Sequence, residues 1–340
     1  MIRLSDHIAA AGGWLSLEAF MQLALHHPQE GYYSSSIENI GQRGDFSTTP
    51  TLSPILAKAI VAHWKEACSR CGRRLPLLEI GAGSGALAVK IVERLGFWNR
   101  LNTDYVIVES SPRLREFQHL LLGGRAKIYS TMEKALKHCG GKAFIFSNEL
   151  VDAFPARVFE YTEQDWKEVG LVVKNGAVRE ELRPVRQQPL FSHMLEYGSQ
   201  PGQRVEIHDS YARWFTSWLP LWNMGVMTVI DYGDEMERLY YRRPRGSLRG
   251  YKSHQVLTGE ELYRNPGLTD LTCDVNFTDL LELSRNCLED RVTFMTQRDY
   301  LLPHAENTPQ DAFLTDEYGA GGHFHVLIQE RQRLQPEGTQ

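Results

Sequence analysis

The stretch 75–88 constrains this chain most strongly, because an apolar run breaks into three alternating glycines and then resumes with helix-forming residues. The run Leu-Pro-Leu-Leu-Glu-Ile is followed by Gly81, Gly83 and Gly85, and Ala86 begins the helix formers. Alternating glycines let a backbone turn sharply and approach a ligand, and the next helix offers unpaired N–H groups at its positive end. The stretch predicts a strand, a glycine loop and a helix that bind a nucleotide-type ligand.

The glycine pattern alone is weak evidence, so the flanking sequence decides its interpretation. Pro76–Ile80 is typical of a buried strand and Ala86–Leu95 of a helix, and a second strand at Tyr105–Val108 is followed directly by Glu109. An acid at the end of the second strand of such a unit can accept hydrogen bonds from ribose hydroxyls. The flanks therefore support a nucleoside site.

Two ligand classes use this geometry, the nicotinamide or flavin dinucleotides and S-adenosylmethionine. Glu79 lies two residues before the first glycine, where its carboxylate would meet a cationic aminoacyl group but repel a pyrophosphate. The glycines read G-x-G-x-G, and the dinucleotide pattern is completed only if Ala86 is accepted as its last member. Glu109 lies 30 residues after Glu79, whereas the dinucleotide spacing is about 20. These details favour S-adenosylmethionine over a dinucleotide.

Predicted strands and helices alternate from residue 75 to about residue 147. This order predicts an α/β fold with a parallel, doubly wound sheet whose ligand crevice lies at the carboxyl ends of the strands. Further strands are expected at Gly225–Tyr232, Arg291–Thr296 and His323–Glu330. Because the last two form an antiparallel pair, the sequence predicts a class I methyltransferase (Rossmann-like) sheet with a terminal antiparallel hairpin.

We divide the chain into a helical N-terminal cap and lid at 1–72, a donor-binding domain at 73–330 and a flexible tail at 331–340. Inside the donor-binding domain, about 156–224 is predicted to be an inserted antiparallel element, because Lys174-Asn175-Gly176 is a strong hairpin signal between strand-like runs. We also expect a helix at Leu190–Tyr197, and a long loop at Gly233–Asp270.

The N-terminal cap contains polar, glycine-rich segments at 27–33 and 41–50, which include three aromatic residues. They are predicted to form either a lid over the cofactor or an Ω-loop packed by its own aromatics. Asp45, in the second segment, could reach the donor or the acceptor, or could cap an Asx turn before Thr48-Thr49-Pro50.

Composition narrows the class of protein. The formal net charge of −5 argues against a general nucleic-acid binder. The five cysteines are odd in number and scattered, and the N-terminus does not read as a secretory leader, so a reduced, cytoplasmic protein is expected. Cys68-x-x-Cys71 lacks a second pair, so no metal is predicted, and no apolar run is long enough to span a bilayer. The oligomeric state stays open.

Several segments together resemble the MidA family of class I S-adenosylmethionine-dependent methyltransferases, which includes a mitochondrial arginine methyltransferase that assists respiratory complex I assembly. The similarity runs in order over roughly residues 5–330. The segments are Gly31-Tyr32-Tyr33, Gly44-Asp45-Phe46 with Thr49-Pro50, Glu79 to Gly85, Glu109-Ser110-Ser111-Pro112, Asn148 to Pro155, Asp231-Tyr232-Gly233, Gly246 to Tyr251 with His254, and Asp270-Leu271-Thr272 with Val275-Asn276-Phe277.

The resemblance implies S-adenosylmethionine as donor and a protein arginine as acceptor. Together with the glycine loop it gives these predicted donor-binding residues: Glu79, Gly81, Ala82, Gly83, Gly85, Glu109, Ser110, Asn148, Asp45 and Thr49. Two blocks differ from the family pattern. Asn148 stands where a histidine is common, and Gly321-Gly322 stands where Met-Gly is common.

Carboxylates are the predicted acceptor-side groups. A guanidinium arrives charged, so methylating it requires carboxylates that fix its plane. Glu149 and Asp152 follow the fourth strand, and their spacing of three would put both on one face of a helical turn. Their alternative role is to complement a helix dipole. Asp231, at the end of the fifth strand, is a third candidate for orienting the substrate.

Other functions remain open from the sequence. The acceptor could be RNA or a small molecule, although Asn148 is not followed by the Pro-Pro-Tyr/Phe of base amino-group methylation. The protein could also bind the donor without catalysis, as an assembly factor. The basic loop 242–252, with His254 beside it, is either solvated or a surface for an acidic partner or RNA.

Overall fold

The computed structural model describes residues 2–36, 53–190, 192–252, 255–288 and 291–331. The strands are β1 (Leu15–Ser16), β2 (Leu77–Ile80), β3 (Tyr105–Val108), β4 (Lys127–Tyr129), β5 (Lys142–Asn148), β6 (Arg157–Tyr161), β7 (Trp166–Lys174), β8 (Ala177–Pro184), β9 (Arg204–Ile207), β10 (Met224–Asp234), β11 (Arg249–Lys252), β12 (Gln255–Leu257), β13 (Asp270–Thr272), β14 (Val275–Asn276), β15 (Val292–Thr296) and β16 (Phe324–Arg331).

The α-helices among these residues are α1 (Leu4–Ala10), α2 (Leu17–His26), α3 (Ile55–Arg70), α4 (Ala86–Arg94), α5 (Gly96–Asn102), α6 (Pro112–Leu122), α7 (Met132–His138), α8 (Asp209–Trp218), α9 (Met236–Arg242), α10 (Phe277–Cys287), α11 (Gln297–Leu301), α12 (Pro309–Leu314) and α13 (Ala320–His323). None of the described helices is long and apolar enough to cross a membrane.

The central sheet has the strand order β15-β16-β10-β5-β2-β3-β4. Its strands β2, β3, β4, β5 and β10 run parallel, whereas β16 runs antiparallel to both β10 and β15. The predicted α/β sheet with a terminal antiparallel hairpin is therefore confirmed. Because the parallel strands point their carboxyl ends to one edge, the loops after β2, β3, β4 and β5 meet there.

Helices cover both faces of the central sheet, which is why its parallel strands are continuously apolar. Helices α3, α4 and α11 share one buried cluster, and α7, α8 and α10 share the other. Helix α3 was expected to belong to the N-terminal cap. It packs instead on the central sheet, for example Ile60 and Trp64 with Leu77, so the core of the donor-binding domain begins before residue 72.

The inserted antiparallel sheet forms as predicted from the hairpin signal. Strands β7 and β8 pair antiparallel with Lys174 opposite Ala177. Asn175 and Gly176 have φ values of 53° and 73°, the left-handed pair of a two-residue hairpin turn. Strand β1 pairs with β7, and α1 and α2 share a buried cluster with Val158 and Val169. The N-terminal helices and the insertion therefore form one lobe.

The predictions for two segments were wrong. The described residues of 190–197 form one 3₁₀ turn, Met194–Glu196, instead of a helix. Tertiary hydrogen bonds fix the backbone on both sides, because Leu190 N–H donates to the Asp209 carboxylate and the Trp166 indole donates to Tyr197 C=O. The expected long loop at 233–270 contains helix α9 and a three-stranded antiparallel sheet ordered β12-β11-β13. Short strands without a strong turn signal between them are hard to see in a sequence.

Some predictions fall on residues outside the described part of the chain. They are the lid segment 41–50 with Asp45 and Thr49, His254, and the tail after Arg331. Arg331 itself ends β16, and its guanidinium donates to Leu219 C=O at 2.8 Å.

Candidate active site

A cleft of about 1400 Å³ lies at the carboxyl ends of the parallel strands. One part, here the glycine-loop half, is lined by residues that follow β2, β3 and β4. The other, here the carboxylate half, is lined by residues at the carboxyl ends of β5 and β10, by Tyr33, and by the three-stranded sheet β12-β11-β13, here the small sheet. It contains Tyr33, Glu149, Asp152, Tyr232, Arg249, Tyr251 and Asp270. The cleft thus occupies the edge at which a doubly wound sheet binds ligands.

The glycine loop follows β2 with three left-handed residues. Gly81, Gly83 and Gly85 have φ values of 68°, 52° and 71°, which only glycine adopts without strain. A Cβ on Gly81 would lie 2.7 Å from Leu150 Cδ1, whereas a Cβ on Gly83 would meet no described atom within 4 Å. Since Gly83 lines the cleft, the open space beside it is space for a ligand.

Glu109 is 6% exposed and lines the same half of the cleft. The Ser111 N–H donates to its Oε1 at 3.0 Å. Gln118 Nε2 donates to Gly83 C=O at 2.9 Å and lies 3.4 Å from Glu109 Oε2, so it links the two predicted donor-binding residues. Burial raises the pKa of Glu109. Sequence reasoning missed Gln118, although it lies on the inner face of α6, one βαβ step after the glycine loop.

Glu79, before the first glycine, is 3% exposed and lines the cleft. Tyr105 OH donates to its Oε2 at 2.5 Å. Burial raises the pKa of Glu79 to about 7, opposed by that hydrogen bond and reinforced by the charge of Glu109. A nearby cation would favour the ionised form, so this carboxyl group can change its charge when a cationic ligand binds.

The turn after β4 adds residues that the sequence did not single out. Ser130, Thr131, Met132 and Glu133 line the cleft beside Glu109. They follow the third of the parallel strands, as the glycine loop and Glu109 follow the first two. That position was the available signal, because ligands bind where parallel strands end.

Asn148 is the last residue of β5, and Glu149 begins the strained turn that follows. Glu149 has a φ of 53°, which is uncommon for a residue other than glycine and typical of functional sites. Asn148 Nδ2 donates to Glu149 Oε1 at 2.9 Å. Asn148 Oδ1 is buried and has no hydrogen-bond partner among the described residues, although both side chains line the cleft.

Asp231 does not contact the cleft, which corrects its predicted role in orienting substrate. It is fully buried, and its Oδ2 accepts hydrogen bonds from the backbone N–H groups of Leu150, Val151 and Asp152 at 3.1, 2.8 and 3.3 Å. Burial raises its pKa well above the ordinary range, and the charges of Asp152 and Glu149 add to this. Asp231 therefore positions the turn that carries the two other acids.

Asp152 is 7% exposed and lines the cleft. Its Oδ2 accepts hydrogen bonds from Tyr232 OH and from Thr272 Oγ1, the latter at 2.7 Å. Its Oδ1 is buried without a partner among the described residues, and burial raises the pKa of the carboxyl group. The predicted shared helical face is wrong, because Val151–Ala153 is one 3₁₀ turn and Glu149 precedes it. Both acids nevertheless line one cleft.

The small sheet forms the far wall of the carboxylate half. In its register Arg249 lies opposite Thr272 and Tyr251 opposite Asp270, so these four side chains share one face. The Arg249 guanidinium lies 5.1 Å from the centre of the Tyr232 ring and donates to Asp274 Oδ1 at 2.6 Å. Sequence reasoning placed this wall in a loop and so missed it.

Three of the five basic residues in 242–252 pair with carboxylates of the chain. Arg242 donates to Asp234 Oδ2 at 2.8 Å, and Arg243 lies 3.4 Å from the Asp274 carboxylate. Arg249 also binds Asp274. These three guanidinium groups therefore neutralise carboxylates within the chain.

The residues of the glycine-loop half fit S-adenosylmethionine. The open space beside Gly83 admits a ligand against the backbone, and Glu109 offers carboxylate oxygens at the end of β3. At the end of the neighbouring strand β5, Asn148 Oδ1 has no hydrogen-bond partner among the described residues, and a donor ammonium or hydroxyl group can satisfy it. The cleft is also large enough to hold a donor and part of an acceptor together.

The strand order and the glycine loop define a class I methyltransferase fold. The model of the family described as "Putative S-adenosyl-L-methionine-dependent methyltransferase" matches residues 55–294. The chain belongs to this family and is an S-adenosylmethionine-dependent methyltransferase. The predicted cofactor is confirmed, and the dinucleotide alternative is excluded.

Comparison with relatives and with one solved structure narrows the family to which the chain is similar. It is similar to the proteins named "Protein arginine methyltransferase NDUFAF7, mitochondrial" of Xenopus tropicalis, at 25% identity over 85% of this chain and 71% of that one, and of Danio rerio, at 27% over 87% and 75%. A Burkholderia thailandensis structure, described as a candidate methyl transferase bound to S-adenosyl-homocysteine, matches with a TM-score of 0.82 at 25% identity, covering 96% of this chain and 90% of that one. The resemblance to the MidA family is confirmed.

The expectation of a cytoplasmic protein is wrong by this comparison, because the curated relatives, including that of Homo sapiens, are named as mitochondrial. All five cysteines are free. Free cysteines indicate only reducing surroundings, so they did not distinguish the cytoplasm from another reducing compartment.

Proposed function

We propose that this methyltransferase acts on the guanidinium group of arginine in a protein substrate. The observation that carries the proposal is the buried Asp152 Oδ1, which lines the cleft without a partner among the described residues. A buried carboxylate oxygen without a hydrogen-bond donor is costly. A guanidinium carries five N–H donors in a rigid plane and would supply that donor.

The charge of the cleft supports a cationic acceptor. Among the described residues, seven carboxylates and three arginines line it, and no lysine does: Glu79, Glu109, Glu133, Glu149, Asp152, Asp270 and Asp274, with Arg242, Arg243 and Arg249. Excess negative charge attracts a cation and repels a phosphate backbone. RNA is therefore the weaker candidate. The relatives' names, which specify protein arginine, agree with this choice.

Each residue of the proposed site has a separate task. S-adenosylmethionine supplies an electrophilic methyl group on a sulfonium. Glu109 and the backbone at Gly83 would hold the donor, and Glu149 and Asp152 would orient the acceptor. The methylated nitrogen must lose a proton, and Asp152 Oδ1 is placed to accept it, because burial has already raised the pKa of this carboxyl group.

The test uses the purified full chain and radiolabelled S-adenosylmethionine, with protein extract from cells lacking the gene, total RNA and a small-molecule fraction as parallel acceptors. Acid hydrolysis of labelled protein followed by chromatography identifies the methylated amino acid. We expect methylarginine. Label in RNA or in a small molecule would replace the proposed acceptor, and donor binding without transfer to any fraction would favour a non-catalytic assembly factor.

A further inference from the structure

The cleft continues beyond the carboxylate half into a region with aromatic walls, here the aromatic arm. The arm is lined by His26, Pro28, Phe154, Pro155 and Trp214. Phe154 and Pro155 belong to the turn after β5, His26 is the last residue of α2, and Trp214 lies on α8. None of the five is an aspartate, glutamate, lysine or arginine. The arm is therefore apolar, whereas the neighbouring half of the cleft is acidic.

The aromatic arm adjoins the proposed acceptor site. Phe154 lies two residues after Asp152, and two residues of chain span at most about 7 Å. The centre of the His26 ring lies 5.5 Å from that of the Tyr33 ring in the carboxylate half. Burial lowers the pKa of His26, opposed by a hydrogen bond with the backbone of Ala153, which stands between the acid and Phe154. The arm and the carboxylate half are therefore parts of one continuous cleft.

Packing within the protein fixes the shape of the arm. The Phe154 ring lies 5.2 Å, centre to centre, from the rings of both Tyr211 and Trp214, a spacing at which aromatic pairs attract each other. Tyr211 is 2% exposed and belongs to the core, whereas Trp214 is only partly buried. Ser210 Oγ donates to Pro155 C=O at 2.6 Å, which ties α8 to the turn after β5. A ligand therefore meets a preformed aromatic surface.

The proposed donor position does not reach this arm. The expected ribose acid, Glu109, follows β3, and the next turn of the glycine-loop half follows β4. In the sheet order β10-β5-β2-β3-β4, strand β2 separates both from the turn after β5 that carries Phe154. The cleft of about 1400 Å³ also exceeds the roughly 300–1,000 Å³ typical of a pocket for one small ligand. The arm is thus space for part of the acceptor.

We propose that the aromatic arm binds a large apolar side chain, such as that of phenylalanine or leucine, one or two residues from the acceptor arginine in the protein substrate. This rests on the proposed function and extends it to the sequence around the methylated residue. An extended peptide advances about 3.3 Å per residue, so a neighbouring side chain reaches the arm while the guanidinium lies against Asp152. Burial against the aromatic rings stabilises an apolar side chain, whereas a charged one would lose its hydration there.

The experiment measures kcat/KM for synthetic peptides that contain one arginine, with phenylalanine, alanine or aspartate placed in turn at each of the two positions on either side. At one of these positions phenylalanine should raise kcat/KM about tenfold over alanine, mainly through a lower KM, as expected for a largely buried side chain. Aspartate at that position should be no better than alanine. Calorimetry of the same peptides with the S-adenosyl-homocysteine complex measures the preference without turnover.

Two variants of Trp214 test whether that preference comes from the arm. Trp214→Ala should reduce the ratio of kcat/KM for the phenylalanine and alanine peptides from about tenfold to within about twofold. Trp214→Lys places a cation on the same wall and should make the aspartate peptide better than the phenylalanine peptide, a gain that lost packing alone would not produce.

Trp98→Ala is the matched control. Trp98 lies on α5, is 75% exposed and is not among the residues that line the cleft. The peptide preference of this variant should equal that of the wild type. The Kd for S-adenosyl-homocysteine, measured for every variant, shows that the fold and the glycine-loop half are intact.

The outcomes separate this inference from the proposed function. If the wild type labels arginine in protein extract but shows no preference among the peptides, or if the preference persists in both Trp214 variants, the arm does not bind the substrate and the proposed function stands. If arginine is labelled neither in extract nor in peptides, and RNA or a small molecule is labelled instead, the proposed function and this inference are both wrong.

Discussion

The two halves of the cleft are built in opposite ways. The glycine-loop half comes from three consecutive strand-to-helix turns, within residues 79–133, and each turn follows a strand of the central sheet. The carboxylate half draws Tyr33, Asp152, Tyr232 and Asp270 from segments that are far apart in the chain. The glycine-loop half is thus a local motif repeated along a sheet. The carboxylate half forms only when segments that are distant in the sequence pack together.

The difference has a physical consequence for substitutions. In the glycine-loop half, backbone conformation and one strand-end acid carry the contacts, so single changes should act on donor binding alone. In the carboxylate half, hydrogen bonds between segments hold the acids, for example Tyr232 OH and Thr272 Oγ1 to Asp152. Changes there should act on the acceptor and on turnover.

The largest expected effect is that of Gly83→Val on the glycine-loop half. The new side chain would occupy the ligand space beside the backbone, so donor affinity should fall by about 100-fold or more, roughly 2.7 kcal/mol. Calorimetry with S-adenosyl-homocysteine measures it. Gly72→Val is the control, since Gly72 has a similar φ of 61° and open space beside it but does not line the cleft. Both variants carry about 1–2 kcal/mol of backbone strain, so equal donor affinities would show that Gly83 does not contact the ligand.

The next largest effect is expected for Asp152→Asn, which changes the carboxylate half. Its amide cannot accept hydrogen bonds at both positions or take up the proton that leaves the guanidinium, so kcat should fall by about 100-fold, the cost of a misplaced reacting group. Glu149→Gln should lower kcat in the same direction. Donor affinity should stay near that of the wild type in both. Full activity in both variants would remove the carboxylate pair from the mechanism, and parallel loss of donor binding would move these residues to the donor side.

The accuracy of the sequence-based predictions also differs between the two halves of the cleft. The predicted strands Pro76–Ile80 and Tyr105–Val108 and the predicted helix Ala86–Leu95 agree with β2, β3 and α4 to within one residue, because β2 ends at a glycine and β3 at an acid, whereas helix α5 was not predicted. Asp231 was predicted to orient the substrate because it lies near a strand end, yet one of its carboxylate oxygens accepts hydrogen bonds from three backbone N–H groups of the loop after β5. Nothing local in a sequence separates a buried positioning acid from one that lines a cleft.

The far wall of the carboxylate half, formed by the small sheet, could not be predicted from local sequence either. Strands β11 and β13 have only four and three residues and contain arginine, glycine, aspartate and threonine. The position of their side chains in the cleft follows only from the strand register, which sets Tyr251 opposite Asp270. Such pairings over long sequence distances leave no periodic signal, so the acceptor half of a site like this one needs a structure.

Glu109→Ala tests the strand-end acid of the glycine-loop half. Loss of a hydrogen bond to a charged group costs about 1.5–3 kcal/mol, so donor affinity should fall between about tenfold and 100-fold while kcat at saturating donor changes little. Equilibrium binding of S-adenosyl-homocysteine gives the measurement, and circular dichroism confirms the fold. Unchanged affinity in a folded variant would exclude Glu109 from the donor site.

The smallest expected effect is the pH dependence of donor affinity that Glu79 causes. Its raised pKa of about 7 means that it is largely protonated below pH 7 in the donor-free protein and ionised above it. If its carboxylate meets the cationic part of the donor, binding favours the ionised form. Affinity should then be full above pH 7 and fall as the pH drops through 7, by about tenfold between pH 8 and pH 6.

Glu79→Gln separates this effect from other titrations in the cleft. The amide oxygen can still accept the Tyr105 hydroxyl that Glu79 accepts in the wild type, so the local packing is retained while the charge is lost. Affinity in this variant should be lower at pH 8 and nearly independent of pH. Glu109 faces the same half and also has a raised pKa, so a pH dependence that persists in Glu79→Gln and disappears in Glu109→Gln would assign the titration to the strand-end acid. Glu79 would then be a structural partner of Tyr105, and the glycine-loop half would rely on a single carboxylate for its cation.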